Sequence, residues 1–131
     1  ILVYGDGEQT RAFSDIQYYM EPFDLLHNEF DGEIFNIGAD KYFSLNEVAE
    51  TVQKVGKKYG YEVPIEHGEP RHEVKHAYCD HTKAKTMLKF QDGTHLEELV
   101  ETIFVWAMKQ PNRKVKDMEY EVTKDIYDYW K

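Results

Sequence analysis

The chain has 131 residues, of which 41% are hydrophobic and 31% charged, and its formal net charge is −9. This length suits one domain with a modest core, and so acidic a chain makes a poor general nucleic-acid binder because phosphate backbones need a basic face. Cys79 is the single cysteine, which excludes an internal disulfide, and without an apolar run of ~20 residues or a signal-peptide pattern we expect a cytoplasmic protein.

The first third of the chain predicts short strands around one helix. Residues 1–4 form an apolar, β-prone run that stops at an Asp-Gly turn at 6–7. Apolar positions over 15–28 recur at helical spacing, and Pro22 predicts that this helix either starts just before it or kinks there. Residues 33–37 then indicate another short strand.

The middle of the chain opens with a helix-start signature. Ser44 and Glu47 form a capping box, in which hydroxyl and carboxylate satisfy reciprocal backbone donors. The apolar stripe that follows predicts a helix ended by Gly60. Segments 63–67 and 74–78 indicate two more short strands.

Two further helices are predicted after these strands. Asp80 or Thr82 can cap the first of them, and Thr94 with Glu97 forms a second capping box. The helix behind that box has the clearest apolar stripe in the chain and is terminated by Pro111.

The remaining tail has no firm periodicity, but residues 126–130 are rich in aromatic side chains, so we expect it to lie on the body of the protein. Helices and short strands intermix without a repeat or linker, which predicts a single domain over 1–131 of the mixed α/β class, with a small sheet and packed helices. The chain begins inside an apolar run, which we interpret as a fragment or truncated reading frame, trimmed terminal residues being the alternative.

Two arginines lie in patterned segments sixty positions apart. Arg11 closes the Gly-Asp-Gly-Glu-Gln-Thr-Arg segment at 5–11, and Arg71 follows Pro70. A guanidinium offers a rigid fork of donors that matches phosphate oxygens and keeps its charge. Two arginines on separate loops are therefore suited to hold a diphosphate from both sides.

The sequence around these arginines resembles the C-terminal substrate-binding region of the extended short-chain dehydrogenase/reductase family, the NAD-dependent nucleotide-sugar epimerases and dehydratases. Five segments match in order and with similar gaps, so the likeness covers essentially the whole chain. The matching segments are 4–13, 35–38, 44–47, 70–71 and 78–90.

The resemblance implies roles for five residues. Arg11 and Arg71 would contact the pyrophosphate of a nucleotide-sugar, and Glu73 would accept hydrogen bonds from the ribose. Gly5 and Gly7 would let the backbone approach the ligand closely, since a side chain would obstruct it.

The resemblance also implies which half of such an enzyme this sequence holds. No Gly-x-x-Gly-x-x-Gly turn occurs, and the Tyr-x-x-x-Lys pairs at 120/124 and 127/131 lie past the substrate region, where ten tyrosines make a chance match ordinary. We therefore expect the C-terminal lobe without its Rossmann domain: no catalytic or cofactor-binding residue in this chain, NAD belonging to the intact member, and no catalysis by the chain alone.

Other interpretations stay open. The lobe can serve as a ligand-free interaction scaffold, or the sequence can be part of an intact enzyme. Apolar surface that a Rossmann domain would cover predicts a homo-oligomer.

A zinc site is the main alternative chemistry, since His72, His76, Cys79 and His81 lie close together in sequence. Their spacing argues against zinc because, on an extended segment, His76 and Cys79 point to opposite faces. No motif presents Cys79 as a nucleophile, and Lys75 is interpreted as a solvated strand residue. No metal ligand is assigned.

Overall fold

The computed structural model of the protein describes residues 1–112. Within that range the chain forms two small sheets, four α-helices and one 3-10 helix, which confirms the mixed α/β class. The strands are β1 Leu2–Tyr4, β2 Thr10–Arg11, β3 Phe43–Ser44, β4 Glu66–Gly68 and β5 His76–Ala77. The helices are the 3-10 helix Ile16–Tyr19, α1 Met20–Glu29, α2 Leu45–Lys58, α3 Thr82–Met87 and α4 Leu96–Met108.

The strand pairing places two distant loops side by side. β1 pairs in parallel with β4, with Val3 opposite His67, and β2 pairs in parallel with β5 and antiparallel to β3. Because both strands of the first half have a parallel partner in the second, the loop from β1 to β2 (residues 5–9) runs beside the loop from β4 to β5 (residues 69–75). This strand pairing creates a cleft between the two loops.

Helix α2 begins where the sequence predicts. The Ser44 hydroxyl accepts from the Glu47 amide at 3.2 Å, and the Glu47 carboxylate accepts from the Ser44 amide at 2.7 Å. The helix ends one residue before Tyr59, and Gly60 takes a left-handed conformation with φ of +81°. Both partners of this capping box lie within four residues, so local sequence suffices to form it.

Helix α4 packs on α2 through ion pairs and aromatic contact. Lys54 lies 2.6 Å from Glu97, and the rings of Tyr59 and Phe104 stack with centroids 5.8 Å apart. None of the residues of α4 is fully buried, and Ile103, Trp106 and Met108 are exposed. Self-association of the chain stays a prediction.

Two predicted elements are wrong. Residues 33–37 form no strand: Phe35 instead packs edge-on against Phe30, with ring centroids 5.5 Å apart. The second capping box is also not formed, since α4 follows His95 and the Thr94 hydroxyl accepts from the Asp15 amide at 2.9 Å. The aromatic tail and both Tyr-x-x-x-Lys pairs lie outside the described residues.

The main core lies where α3 meets α1 and the segment after α1. Ala84 and Leu88 are 0% exposed and Phe90 is 3% exposed. Half-buried side chains pack around them: Tyr18, Leu25, Leu26, Phe30, Phe35 and Ile37. Separately, no helix between residues 1 and 112 has the length and apolar character needed to cross a bilayer.

The segment that precedes β3 is fastened to α3 by one carboxylate. Asp40 Oδ1 lies 2.5 Å from Lys85 Nζ and 2.6 Å from His81 Nε2. Hydrogen bonds from Lys85 and then His81 lower the pKa of the Asp40 carboxyl from its ordinary value.

Acid should weaken this attachment. Because the pKa of Asp40 is lower in the folded state than the ordinary 3.8, its stabilisation is present above that value and is lost as pH falls through the folded-state pKa. We expect Asp40→Asn to reduce the free energy of unfolding at neutral pH by less than ~1 kcal/mol, since the pair is solvent-screened. It should also flatten the decline in stability below about pH 4.

Urea unfolding across that pH range measures both effects, and Asp31→Asn, a substitution of an exposed turn residue, is the control. An identical pH dependence of Asp40→Asn and the wild type would contradict the assignment.

Candidate functional site

The two adjacent loops enclose a cleft of about 640 Å³. Its walls come from the end of β1, the end of β4 and the loops that follow each of them. The lining residues are Tyr4, Gly5, Asp6, Gln9, His67, Gly68, Pro70, Arg71, Glu73 and Lys75.

Gly5 shapes the first wall of the cleft. Its φ is +76°, a left-handed conformation that glycine adopts without strain. Its amide donates to the Gly68 carbonyl at 3.0 Å and its carbonyl accepts from His67 Nδ1 at 2.9 Å. The backbone of residue 5 is therefore fixed against β4 at the edge of the cleft.

Gly7 faces the other way, toward helix α2. A Cβ at this position would lie 1.9 Å from the Asn46 side-chain oxygen. The Asn46 amide donates to the Asp6 carbonyl at 2.9 Å and to the Glu8 carboxylate at 3.0 Å. Gly7 thus allows α2 to hold the turn and is not among the residues that line the cleft.

Arg71 lies over an aromatic ring on the cleft wall. Its guanidinium carbon is 3.3 Å from the centroid of the Tyr4 ring. Stacking of this kind fixes the plane of the guanidinium.

Glu73 is held on both oxygens. Its Oε2 lies 2.7 Å from Arg11 Nη2, and its Oε1 accepts from Gln9 Nε2 at 3.1 Å. Gln9 is 7% exposed and also donates to the Tyr4 carbonyl at 2.9 Å. A buried amide and an arginine therefore orient the one carboxylate of the second loop that faces the cleft.

Arg11 stands behind Glu73. Its Nη1 donates to the Thr10 carbonyl at 2.8 Å and lies 3.4 Å from the Lys75 carbonyl, so it also connects β2 with the loop before β5. Arg11 contacts the cleft through Glu73 and is not itself a lining residue.

The structure thus brings together three of the five predicted site residues, Gly5, Arg71 and Glu73, with Arg11 one contact away. Seven of the ten lining residues were not among the predicted site residues. Tyr4, Asp6 and Gln9 lay within the matched segment 4–13 without an assigned role, and Lys75 was interpreted as a solvated strand residue. The seven are Tyr4, Asp6, Gln9, His67, Gly68, Pro70 and Lys75.

The cleft carries both cations and carboxylates, so its charges suit a ligand that has an anionic group as well as hydroxyl groups. Arg71 and Lys75 supply cations, while Asp6 and Glu73 supply carboxylates. A carboxylate repels phosphate but accepts hydrogen bonds from hydroxyl groups.

Two of the three histidines considered as zinc ligands have other partners. His81 binds Asp40, and His76 Nδ1 lies 2.8 Å from the Thr10 hydroxyl. Among residues 1–112, no three His, Cys or carboxylate side chains are grouped closely enough to hold a metal ion.

Solved structures share this fold. UDP-glucose 4-epimerase from Thermotoga maritima, solved with UDP-glucose, matches 83% of this chain and 36% of its own with a TM-score of 0.70 and 25% identity. MoeE5, solved with UDP-glucuronic acid and NAD, matches the same shares of each chain with a TM-score of 0.70 and 26% identity. The fold is therefore that of one part of a nucleotide-sugar enzyme.

Curated relatives agree with the structures, although no family model matches the chain. UDP-N-acetyl-alpha-D-glucosaminuronate decarboxylase from Bacillus cytotoxicus is 31% identical over 117 residues, which are 86% of this chain and 36% of that protein. The chain thus spans about a third of the length of the curated relatives it matches. In sequence and fold the chain matches one part of the extended short-chain dehydrogenase/reductase proteins, the NAD-dependent nucleotide-sugar epimerases and dehydratases.

Proposed function

We propose that this chain is the substrate-binding C-terminal lobe of a nucleotide-sugar epimerase or dehydratase and that its cleft binds a nucleoside-diphosphate sugar. The observation that carries the proposal is the meeting of Arg71 and Glu73, a cation and an oriented carboxylate, in one cleft beside Gly5. The similarity to an epimerase solved with UDP-glucose supports the same ligand class.

Each end of the ligand has a complementary group. The diphosphate lies against Arg71 and Lys75, where charge-assisted hydrogen bonds are strongest. The ribose lies toward Glu73, whose carboxylate only accepts hydrogen bonds when ionised. The fixed backbone of Gly5 allows close approach of the ligand.

The proposal assigns binding to this chain and no catalysis. Residues 1–131 contain no Gly-rich dinucleotide turn, so they do not fit NAD. In a whole family member NAD would supply the hydride chemistry, while this lobe binds and orients the sugar nucleotide.

Calorimetric titration with UDP-glucose, GDP-mannose and dTDP-glucose tests the proposal. We expect saturable heat with at least one of them and none with free uridine or glucose, because the diphosphate supplies the charge that the cleft recognises. Absence of heat with all three would contradict the proposal. It would favour a ligand-free scaffold, in which Arg11 and Glu73 neutralise one another.

A further inference from the structure

We infer that His67 binds the diphosphate of the ligand in its protonated form, so that binding of a nucleoside-diphosphate sugar to this cleft is coupled to the uptake of a proton. The inference rests on the proposed function and deepens it, because it adds a titratable cation to Arg71 and Lys75. His67 lies outside the five matched segments, so the resemblance gives this histidine no role.

The ring of His67 is held by one of its two nitrogens. Nδ1 lies 2.9 Å from the Gly5 carbonyl oxygen, which can only accept a hydrogen bond, so Nδ1 carries a hydrogen. Gly5 is fixed in turn, since its amide donates to the Gly68 carbonyl at 3.0 Å. Nε2 is therefore the nitrogen that gains a proton when the ring becomes charged, and it is then a donor for a phosphate oxygen.

The fixed charges that line the cleft balance one another. Arg71 and Lys75 supply two positive charges, and Asp6 and Glu73 supply two negative ones. While His67 is neutral, the lining residues therefore have no net formal charge. Protonation of this histidine makes the cleft positive, in a chain whose net charge of −9 otherwise repels phosphate.

Other charged residues near this wall do not line the cleft. Glu66 and Glu69 flank His67 on β4 and on the loop that follows, and Arg11 lies behind the wall. Tyr4, from β1, is the remaining ionisable residue of the lining. Phenols, carboxyl groups and lysines ordinarily titrate outside the range of about pH 6 to 8. Histidine is thus the one type of side chain in the described lining that ordinarily changes its charge there.

A bound diphosphate favours the charged ring, because a charge-assisted hydrogen bond from Nε2 is stronger than one from a neutral donor. The complex should therefore take up a proton as it forms, and binding should strengthen as the pH falls. His67 is exposed, so water screens its charge and the effect should be modest. We expect the affinity to be about fivefold higher at about pH 6 than at about pH 8.

Calorimetric titration with UDP-glucose, GDP-mannose and dTDP-glucose at these two pH values tests the inference. Both phosphates of each ligand are diesters and keep their single charges throughout this range, so the ligand itself gains no proton. Titration at neutral pH in buffers with different heats of ionisation measures the proton uptake directly. We expect the wild-type protein to take up about half a proton per bound ligand.

His67→Asn is the matched variant, because its amide nitrogen lies close to the position of Nδ1 and can still donate to the Gly5 carbonyl, but it does not ionise. It should bind with one affinity at both pH values and take up no proton. His67→Gln places a neutral donor near the position of Nε2, so it should bind more tightly than His67→Asn, again without pH dependence. Thermal unfolding by circular dichroism establishes that each variant is folded.

Two further variants serve as controls. His72→Asn removes an exposed histidine that does not line the cleft, and it should keep both the pH dependence and the proton uptake. Arg71→Ala should weaken binding at both pH values and keep their ratio, because its guanidinium stays charged throughout.

The outcomes separate two failures. If His67→Asn keeps the wild-type pH dependence, or if His72→Asn abolishes it, the inference is overturned while the proposed function stands. A wild-type affinity that is the same at both pH values, without proton uptake, overturns it as well. If the wild type binds none of the three nucleotide-sugars at either pH, the proposed function fails together with the inference.

Discussion

Replacement of Leu88 with alanine is expected to reduce the free energy of unfolding by about 3 kcal/mol, within the usual range for a buried leucine. Leu88 is 0% exposed and lies in one cluster with Ala84 and Phe90. Truncation removes buried methyl groups and leaves a cavity that the neighbouring rings fill only in part. Since small domains unfold at about 5–15 kcal/mol, the loss is a large fraction of the total.

Urea unfolding followed by far-UV circular dichroism measures this effect. Met87→Ala is the matched control, because Met87 precedes Leu88 directly and is 39% exposed. Its variant should lose less than about 1 kcal/mol. Equal midpoints for the two variants would show that the cluster around Leu88 is not the stabilising core.

The two capping boxes show what local sequence can and cannot predict. Ser44 and Glu47 satisfy each other and need no distant partner, so the start of α2 was predictable. Thr94 and Glu97 form the same sequence pattern, but the Thr94 hydroxyl has other partners. It donates to the Asp92 carboxylate at 2.6 Å and accepts from the Asp15 amide. Asp15 is far away in sequence, and no pattern around Thr94 reveals that competition.

The strand expected at 33–37 failed for a related reason. Phe35 and Ile37 pack against the core around Leu88, whereas Ile34 is 83% exposed. A strand also needs a paired neighbour, and its pairing is decided by the topology of the whole chain. The local sequence of residues 33–37 therefore could not determine whether this segment pairs as a strand.

The candidate site was likewise predictable from the sequence only in part. The resemblance indicated that Arg11, Arg71 and Glu73 share one site, and parallel pairing of β1 with β4 and of β2 with β5 places their segments together. The bond between Arg11 and Glu73 joins residues 62 positions apart, one on strand β2 and one on a loop. The local sequence around each charged residue carries no signal of which partner it will take. Arg11 and Arg71 are the same residue type, and they differ in that the side chain of Arg71 lines the cleft whereas that of Arg11 does not.

Replacement of Arg71 with alanine is expected to weaken UDP-glucose binding about ten- to a hundredfold, which corresponds to the loss of a charge-assisted hydrogen bond to phosphate. Arg71 lines the cleft and lies over the Tyr4 ring at 3.3 Å, so its fork is oriented before a ligand arrives. In a chain of net charge −9 the remaining field repels phosphate. Removal of this cation should therefore weaken the binding of UDP-glucose strongly.

A lysine at position 71 distinguishes the contribution of positive charge to binding from that of the planar guanidinium. Arg71→Lys keeps the positive charge but loses the planar fork and the stacking on Tyr4, so it should recover only part of the affinity. Calorimetry at two salt concentrations measures this, and the salt dependence of Arg71→Ala should be weaker than that of Arg71→Lys. Lys109→Ala, which removes an exposed cation that does not line the cleft, should bind as the wild type does. If Arg71→Ala is folded and retains wild-type affinity, the diphosphate does not lie against Arg71, because no group so placed could be removed without weakening the complex.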